Sequence, residues 1–260
     1  MRRTPILTIA LAILVGGAQA AAAQAPIDAD TVGGPRSNAR AELFLPAGAG
    51  RFPAMVVLHG CDGVGPHYRD WARDLAAWGY VTLLVDSFRP RGFRTVCNRG
   101  MDVPPSVQAQ DGFAAAAYLR SLPNVRADRI GVIGFSHGGW AVLKAVLADT
   151  VRQEQALPFA AAVAFYPGCD PPGSALATDT LILIGDADDW TPPARCERWR
   201  DAVPTAGHAL QMKVYHGALH GFDAETPPRM YAGHYVGRDP EAAEDAVAAT
   251  RNFLAARLNP

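Results

Sequence analysis

Lysine is almost missing from this 260-residue chain: only Lys144 and Lys213 occur, and the formal net charge is -1. A surface for a phosphate backbone needs clustered lysine and arginine with net positive charge, so nucleic-acid binding is excluded. Beyond the first 25 residues, no run approaches the ~18 uncharged apolar residues that a membrane helix requires. No Cys-x-x-Cys pair is present, which removes the usual redox and zinc spacings for Cys61, Cys97, Cys169 and Cys196. No internal repeat is visible, and the Pro/Gly-rich spots such as Pro171-Pro172-Gly173 are too short for interdomain linkers.

What is present begins with a leader-like segment. Met1-Arg2-Arg3, an apolar stretch over 6–15, and small residues ending at Ala18-Gln19-Ala20 and Ala23-Gln24-Ala25 have the three regions of a secretory signal. Residues 1–25 are therefore expected to be removed, with cleavage after Ala25 preferred to Ala20 because Pro26-Ile27-Asp28 begins a polar chain. Losing Arg2 and Arg3 takes the net charge from -1 to -3. The remainder, 26–260, is long enough for one large core and is expected to be a single soluble domain, secreted or periplasmic. In an exported chain an even set of four cysteines points to disulfides rather than metal ligation, and three pairings are open.

Apolar runs at 54–59, 81–86, 130–135, 160–166, 180–185 and 211–216 alternate with helix-like segments at 68–78, 106–122, 137–148, 192–202 and 241–258. This alternation predicts an α/β fold, a mostly parallel twisted sheet with helices on both faces. The strand segments are rich in Val, Ile, Leu and Ala without strict alternation, as expected when both faces are covered. An earlier strand over 41–45 is expected at the sheet edge. The segment 87–105, with Arg89, Arg91, Arg94, Arg99 and Cys97, reads as a long loop on the rim of a site.

One stretch carries most of the chemical information. Over 130–140, IGVIGFSHGGW, a short apolar run enters Gly134-Phe135-Ser136-His137-Gly138 and continues into a helix-forming segment. G-x-S-x-G between a strand and a helix is a nucleophile elbow, whose glycines leave room for a turn tight enough to expose the serine. A serine hydroxyl is a weak nucleophile at neutral pH and needs an imidazole base held by a carboxylate. In this arrangement the partners follow in the order acid, then histidine, on loops after later strands. Asp186-Ala187-Asp188-Asp189 follows one such run and His216-Gly217-Ala218-Leu219-His220-Gly221-Phe222 follows the last.

Asp188 is the expected acid, because the loop needs a few residues to turn back toward the serine, and Asp189 is the reserve. His220 is preferred to His216, which sits at a strand end. The acid cluster lacks the glycine and distal glutamate of a helix-loop-helix calcium site. Negative charge developing on a carbonyl oxygen must meet preset donors. The backbone N–H groups of His137 and of Cys61, in the turn His59-Gly60-Cys61-Asp62-Gly63, are the candidates.

The motifs LHGCDGVGPHYRDWARDLAAWGYVTLLVDSF, GVIGFSHGGW, AFYPG, LILIGDADDWTP and VYHGALHGFD make the chain, after its leader, similar to the dienelactone hydrolase family of the α/β-hydrolase superfamily. The resemblance implies a single-domain α/β-hydrolase fold with Ser136, Asp188 and His220 as nucleophile, acid and base. It departs from the family's namesakes in one respect: Ser136 stands where they carry cysteine, and Gly60 where they carry an acid. A serine esterase mechanism follows more naturally than thiolate chemistry on dienelactones. Family arginines that hold a lactone carboxylate correspond to Arg89 or Arg91 here. The implied topology places the strands before Cys61 and Cys97 side by side, and likewise those before Cys169 and Cys196, favouring Cys61–Cys97 and Cys169–Cys196 bridges.

The expected activity is hydrolysis of a small-molecule ester or lactone through an acyl-serine, with no metal or organic cofactor. The same triad serves peptidases and acyltransferases, and a non-catalytic binding protein on a hydrolase scaffold is a third reading.

Overall fold

The computed structural model describes residues 27–29 and 39–258. The leader expected at 1–25 lies outside the described residues. Six strands run parallel: β3 (Phe52–Leu58), β4 (Val81–Asp86), β5 (Val125–Phe135), β6 (Ala161–Phe165), β7 (Thr180–Gly185) and β8 (Leu210–Tyr215). Two more, β1 (Ile27–Ala29) and β2 (Arg40–Phe44), add antiparallel on one side and complete the order β1-β2-β4-β3-β5-β6-β7-β8. The strand expected at the edge is therefore not the edge, because β1 pairs outside it.

Every residue of β4, β6 and β7 is buried, which is why these strands carry Val, Ile, Leu, Ala and Phe on both faces. The outer strand β8 instead has its partly exposed and exposed positions interleaved, and Lys213 and Gln211 fall there.

The helices are α1 (Pro66–Ala77), α2 (Pro105–Ser121), α3 (His137–Ala145), α4 (Ala148–Gln153), α5 (Pro193–Ala202) and α6 (Pro240–Leu258). Four of them begin with proline, whose fixed φ and missing N–H cost nothing in a first turn. The helix expected over 137–148 stops at Ala145. There Val146 accepts from the N–H of Ala177, Leu147 turns extended, and Ala148 donates to Ala175, so a neighbouring segment takes over the backbone groups.

The segment 87–105 contains a 3-10 turn, Arg89–Arg91, and a small apolar cluster of its own built from Phe88, Val96 and Val103. It is pinned to the turn after β3 by Val96 N–H donating to the Cys61 carbonyl at 2.7 Å and by the Cys61–Cys97 disulfide. The second disulfide joins Cys169 to Cys196, so both bridges are the pairs favoured by strand adjacency. A hairpin not anticipated from the sequence, β9 (Arg229–Tyr231) and β10 (His234–Val236), turns through Ala232 and Gly233, both at positive φ.

Candidate active site

Strand β5 ends at Phe135 and α3 starts at His137, leaving Ser136 as the only residue between them. Its φ of 52° and ψ of -111° are an unusual conformation for a side chain with a Cβ. The surroundings impose it: Ser136 N–H donates to the Phe165 carbonyl at 2.9 Å, and its own carbonyl accepts from Trp140 at 2.8 Å. The elbow also requires Gly138, because a Cβ there would sit 2.2 Å from the Leu58 carbonyl oxygen. Helix α3 can thus cross the end of β3 at backbone contact.

Three side chains from distant parts of the chain form one line. Ser136 Oγ lies 2.9 Å from His220 Nε2, and His220 Nδ1 lies 2.7 Å from Asp188 Oδ2. Both Asp188 and His220 are buried, while Ser136 is half-buried and faces open space. The carboxylate is held from the other side by N–H groups of Trp190 and Thr191 on Oδ1, at 2.9 and 2.8 Å, and by the Thr191 hydroxyl on Oδ2 at 2.8 Å.

The imidazole is packed as well as bonded. Tyr166 meets it edge-on with ring centroids 4.7 Å apart, and Trp190 lies against it at 5.0 Å. Tyr166 in turn donates to Asp223 Oδ1 at 2.7 Å, and Trp71 donates to Oδ2 at 2.8 Å. Burial, followed by the Asp223 charge, pushes the Tyr166 phenol well above the usual tyrosine range, so it stays a donor.

Asp186, Asp189, His208 and His216 do not join this line. Asp186 pairs with His216 at 2.7 Å on the surface, which raises the His216 pKa through that hydrogen bond. Asp189 accepts from the backbone of Tyr235 at 3.2 Å in the hairpin. His208 sits 3.3 Å from Asp179, far along the sheet from the serine.

His137, the first residue of α3, has no carbonyl one turn earlier to receive its N–H, and that group lies immediately after the serine. Cys61 follows Gly60, whose backbone approaches Tyr68 so closely that a Cβ would lie 2.5 Å from the hydroxyl. Beneath the two candidate donors runs a buried polar chain absent from sequence-level expectations. Gln108 donates to the His59 carbonyl at 2.9 Å, and its Oε1 faces His137 Nδ1 at 2.8 Å. Burial lowers the His137 pKa to about 4 against the opposing pull of the Gly100 carbonyl. It lowers that of His59 too.

The expected arginines lie elsewhere. Arg91 makes a two-pronged pair with buried Asp111, at 2.8 and 2.9 Å, and also donates to the Ser87 carbonyl at 2.7 Å. Arg89 is half exposed with Asp86 at 3.9 Å. Neither is among the residues lining the two cavities that open at Ser136. The larger, about 1020 Å³, includes His220, Tyr166 and Trp71; the smaller, about 240 Å³, includes His137, Trp140 and Cys169. Among the described residues no group of three or more His, Cys, Asp or Glu side chains is arranged to hold a metal ion.

Residues 39–258 match the family model of the Dienelactone hydrolase family. The chain belongs to this family. Carboxymethylenebutenolidase 2 of Cupriavidus pinatubonensis is 30% identical over 190 residues, covering 70% of this chain and 79% of that one. Among solved structures, MGS-M1, an alpha/beta hydrolase enzyme from a Medee basin deep-sea metagenome library, superposes with a TM-score of 0.68 at 14% identity over 91% of this chain and 100% of its own. The esterase Est2 of the Planctomycetes species Thermogutta terrifontis gives 0.65 at 19% identity, over 85% and 89%. These two share the α/β-hydrolase fold, and family membership makes this dienelactone hydrolase relative a hydrolase of the carboxylesterase and lactonase kind.

Proposed function

We propose that this dienelactone hydrolase family member is an exported serine hydrolase that cleaves carboxylic ester or lactone bonds through an acyl-serine. The observation that carries the reading is the unbroken line from Ser136 Oγ to His220 Nε2 and from His220 Nδ1 to Asp188, at 2.9 and 2.7 Å. Ser136 attacks the carbonyl carbon and its proton passes to His220 Nε2. Asp188 keeps the imidazole in the tautomer that presents an unprotonated Nε2 and stabilises the imidazolium that forms. The carbonyl oxygen, now negative, lies against the backbone N–H groups of Cys61 and His137, a contribution of about 3 kcal/mol for a single such donor. His220 then protonates the departing oxygen, and water enters by the same route to release the acid.

Substitution Ser136→Ala tests the assignment: turnover of a short aryl ester should vanish while the far-ultraviolet spectrum and melting temperature remain. A fluorophosphonate probe should label the unaltered protein and leave the variant unlabelled. Est2 of Thermogutta terrifontis has been solved phosphorylated by paraoxon, which motivates that choice of probe. Turnover surviving in the variant would remove Ser136 from the mechanism.

Export and a mature chain of 26–260 belong to the same proposal, supported by the two disulfides, which fit an oxidising compartment. Amino-terminal sequencing of protein recovered outside the cytoplasm should begin at Pro26.

A further inference from the structure

Two cavities share Ser136, Cys61, Cys97 and Trp190, yet differ in which half of the catalytic apparatus they touch: His220 lines only the large one and His137 only the small one. That asymmetry fixes the orientation of a bound ester, given the Ser136 and His220 roles proposed above. When Oγ adds to R–CO–OR′, the new tetrahedral carbon holds Oγ, an oxyanion, the OR′ oxygen and R. The oxyanion goes to the two N–H donors. The OR′ oxygen lies within reach of His220 Nε2, whose proton an alkoxide needs in order to depart as R′OH, while an acidic phenol leaves from the same place as its phenolate. R is left to point away from His220. We propose that the acyl group occupies the cavity of about 240 Å³ and the alcohol the cavity of about 1020 Å³, so that the enzyme selects short acyl groups and accepts bulky alcohols or phenols.

The small cavity is limited in size and stiff. At roughly 30 Å³ for each water-sized group, its volume of about 240 Å³ corresponds to about eight such groups, enough for a butanoyl or hexanoyl chain but not for a decanoyl one. One wall is the Trp140 indole, whose Nε1 donates to Asp170 at 2.9 Å and whose ring presses on Gly168, where a Cβ would sit 2.8 Å from it. Lys144 holds the same Asp170 at 2.8 Å. Cys169 and the Cys61–Cys97 pair form further lining, and each is cross-linked. Both disulfides therefore brace this cavity, and little of the wall is left to yield to a longer chain. The large cavity, by contrast, is bounded partly by the hairpin and by aromatic faces at Trp71, Tyr166 and Tyr231.

The test is a matrix of kcat/KM values. Along 4-nitrophenyl acetate, butyrate, hexanoate and decanoate, the value should peak at butyrate or hexanoate and fall at least about a hundredfold by decanoate, in line with 10- to 200-fold discrimination per methylene in a tight pocket. Acetates of 1-naphthol and 4-methylumbelliferone should stay within about tenfold of 4-nitrophenyl acetate. Decanoate within tenfold of butyrate, or a hundredfold loss on the bulky acetates, would overturn the division and indicate the reverse orientation. Trp140→Ala should raise the decanoate-to-acetate ratio at least about tenfold, and an unchanged ratio counts against the proposal. If that variant does not fold, Arg195→Trp at the exposed edge of the cavity should lower the hexanoate-to-acetate ratio instead, with no change again counting against it. Protein that takes the fluorophosphonate label yet lacks the chain-length pattern sinks the division alone. Protein that neither labels nor cleaves any ester sinks the serine-hydrolase reading along with it.

Discussion

Thr191 donates its hydroxyl to Oδ2 of Asp188 at 2.8 Å, the same carboxylate oxygen that faces His220 Nδ1 at 2.7 Å. The oxygen of that hydroxyl also lies 3.1 Å from the Tyr166 carbonyl, so a single proton ties the acid loop to the end of β6. Thr191→Val keeps the shape and removes the donor. Because the two backbone N–H groups on Oδ1 remain, the carboxylate stays anchored on one side but is freer to rotate. The expected outcome is a kcat about tenfold lower with KM little changed, measured on a short aryl ester. An unaltered kcat would mean that the backbone donors alone orient Asp188.

The Cys61–Cys97 bridge closes a loop with a sequence separation of 36 residues, and the Cys169–Cys196 bridge one of 27. Loop-closure entropy puts the first at about 4 kcal/mol and the second at slightly less. Their functional weights differ, since only the first carries a candidate oxyanion donor. The Cys61→Ala/Cys97→Ala pair should lower both melting temperature and kcat. Stability should fall similarly in the Cys169→Ala/Cys196→Ala pair, with a smaller loss of kcat on an acetate ester. Equal kcat losses in the two pairs would contradict this separation.

Much of this was legible in the chain itself. β4 and β7 fall on the apolar runs at 81–86 and 180–185, because a parallel strand covered on both faces is apolar over most of its length. The convergence of Ser136, Asp188 and His220 was legible because each is marked by its place after a strand. The strand expected over 130–135 extends back to 125: Arg126, Asp128 and Arg129 look like loop, yet the strand continues through them to the buried Val125, which pairs with Phe52. The break after Ala145 has no local signal, since its cause is the segment at 175–177. The hairpin escaped because Ala232 takes a positive φ that usually announces itself with Asn or Gly. The resemblance points to Arg89 or Arg91 as a substrate contact; nothing local to Arg91 signals its pairing with Asp111 of α2, which only tertiary packing brings to it.

His137 gives a pH dependence of definite sign. Its folded-state pKa is lowered from 6.5 to about 4, burial being the main cause. A base with a depressed folded pKa binds fewer protons in the folded state than in the unfolded one. Its penalty is absent above pH 6.5, grows as the pH falls, and levels off near pH 4 at about 3 kcal/mol. The denaturant midpoint should therefore drop between pH 6.5 and 4, and His137→Gln should flatten that part of the profile. A profile of the same slope in the variant would assign the acid sensitivity to other groups, His59 first.

Gly138 is where the elbow meets the turn after β3, and its lack of a side chain is a structural requirement. A Cβ at this position would stand 2.2 Å from the Leu58 carbonyl oxygen and 2.6 Å from that of His59, both backbone atoms at the end of β3. Rotating a side chain cannot relieve such a contact, so either α3 lifts away from the sheet or the end of β3 shifts. The first displaces Ser136 and the N–H of His137; the second displaces Gly60 and Cys61. Overpacking of this kind costs about 3 kcal/mol or more, and in the molecules that still fold the candidate donors are displaced from Ser136. Gly138→Ala should thus melt well below the unaltered protein and lose at least about a hundredfold in kcat. Gly173→Ala is the control, since a Cβ there meets nothing within 4 Å. It should match the unaltered protein in both measurements. If Gly138→Ala retained full kcat at a normal melting temperature, α3 and β3 would not be in backbone contact, and the close approach that sets Ser136 beside Cys61 would be wrong.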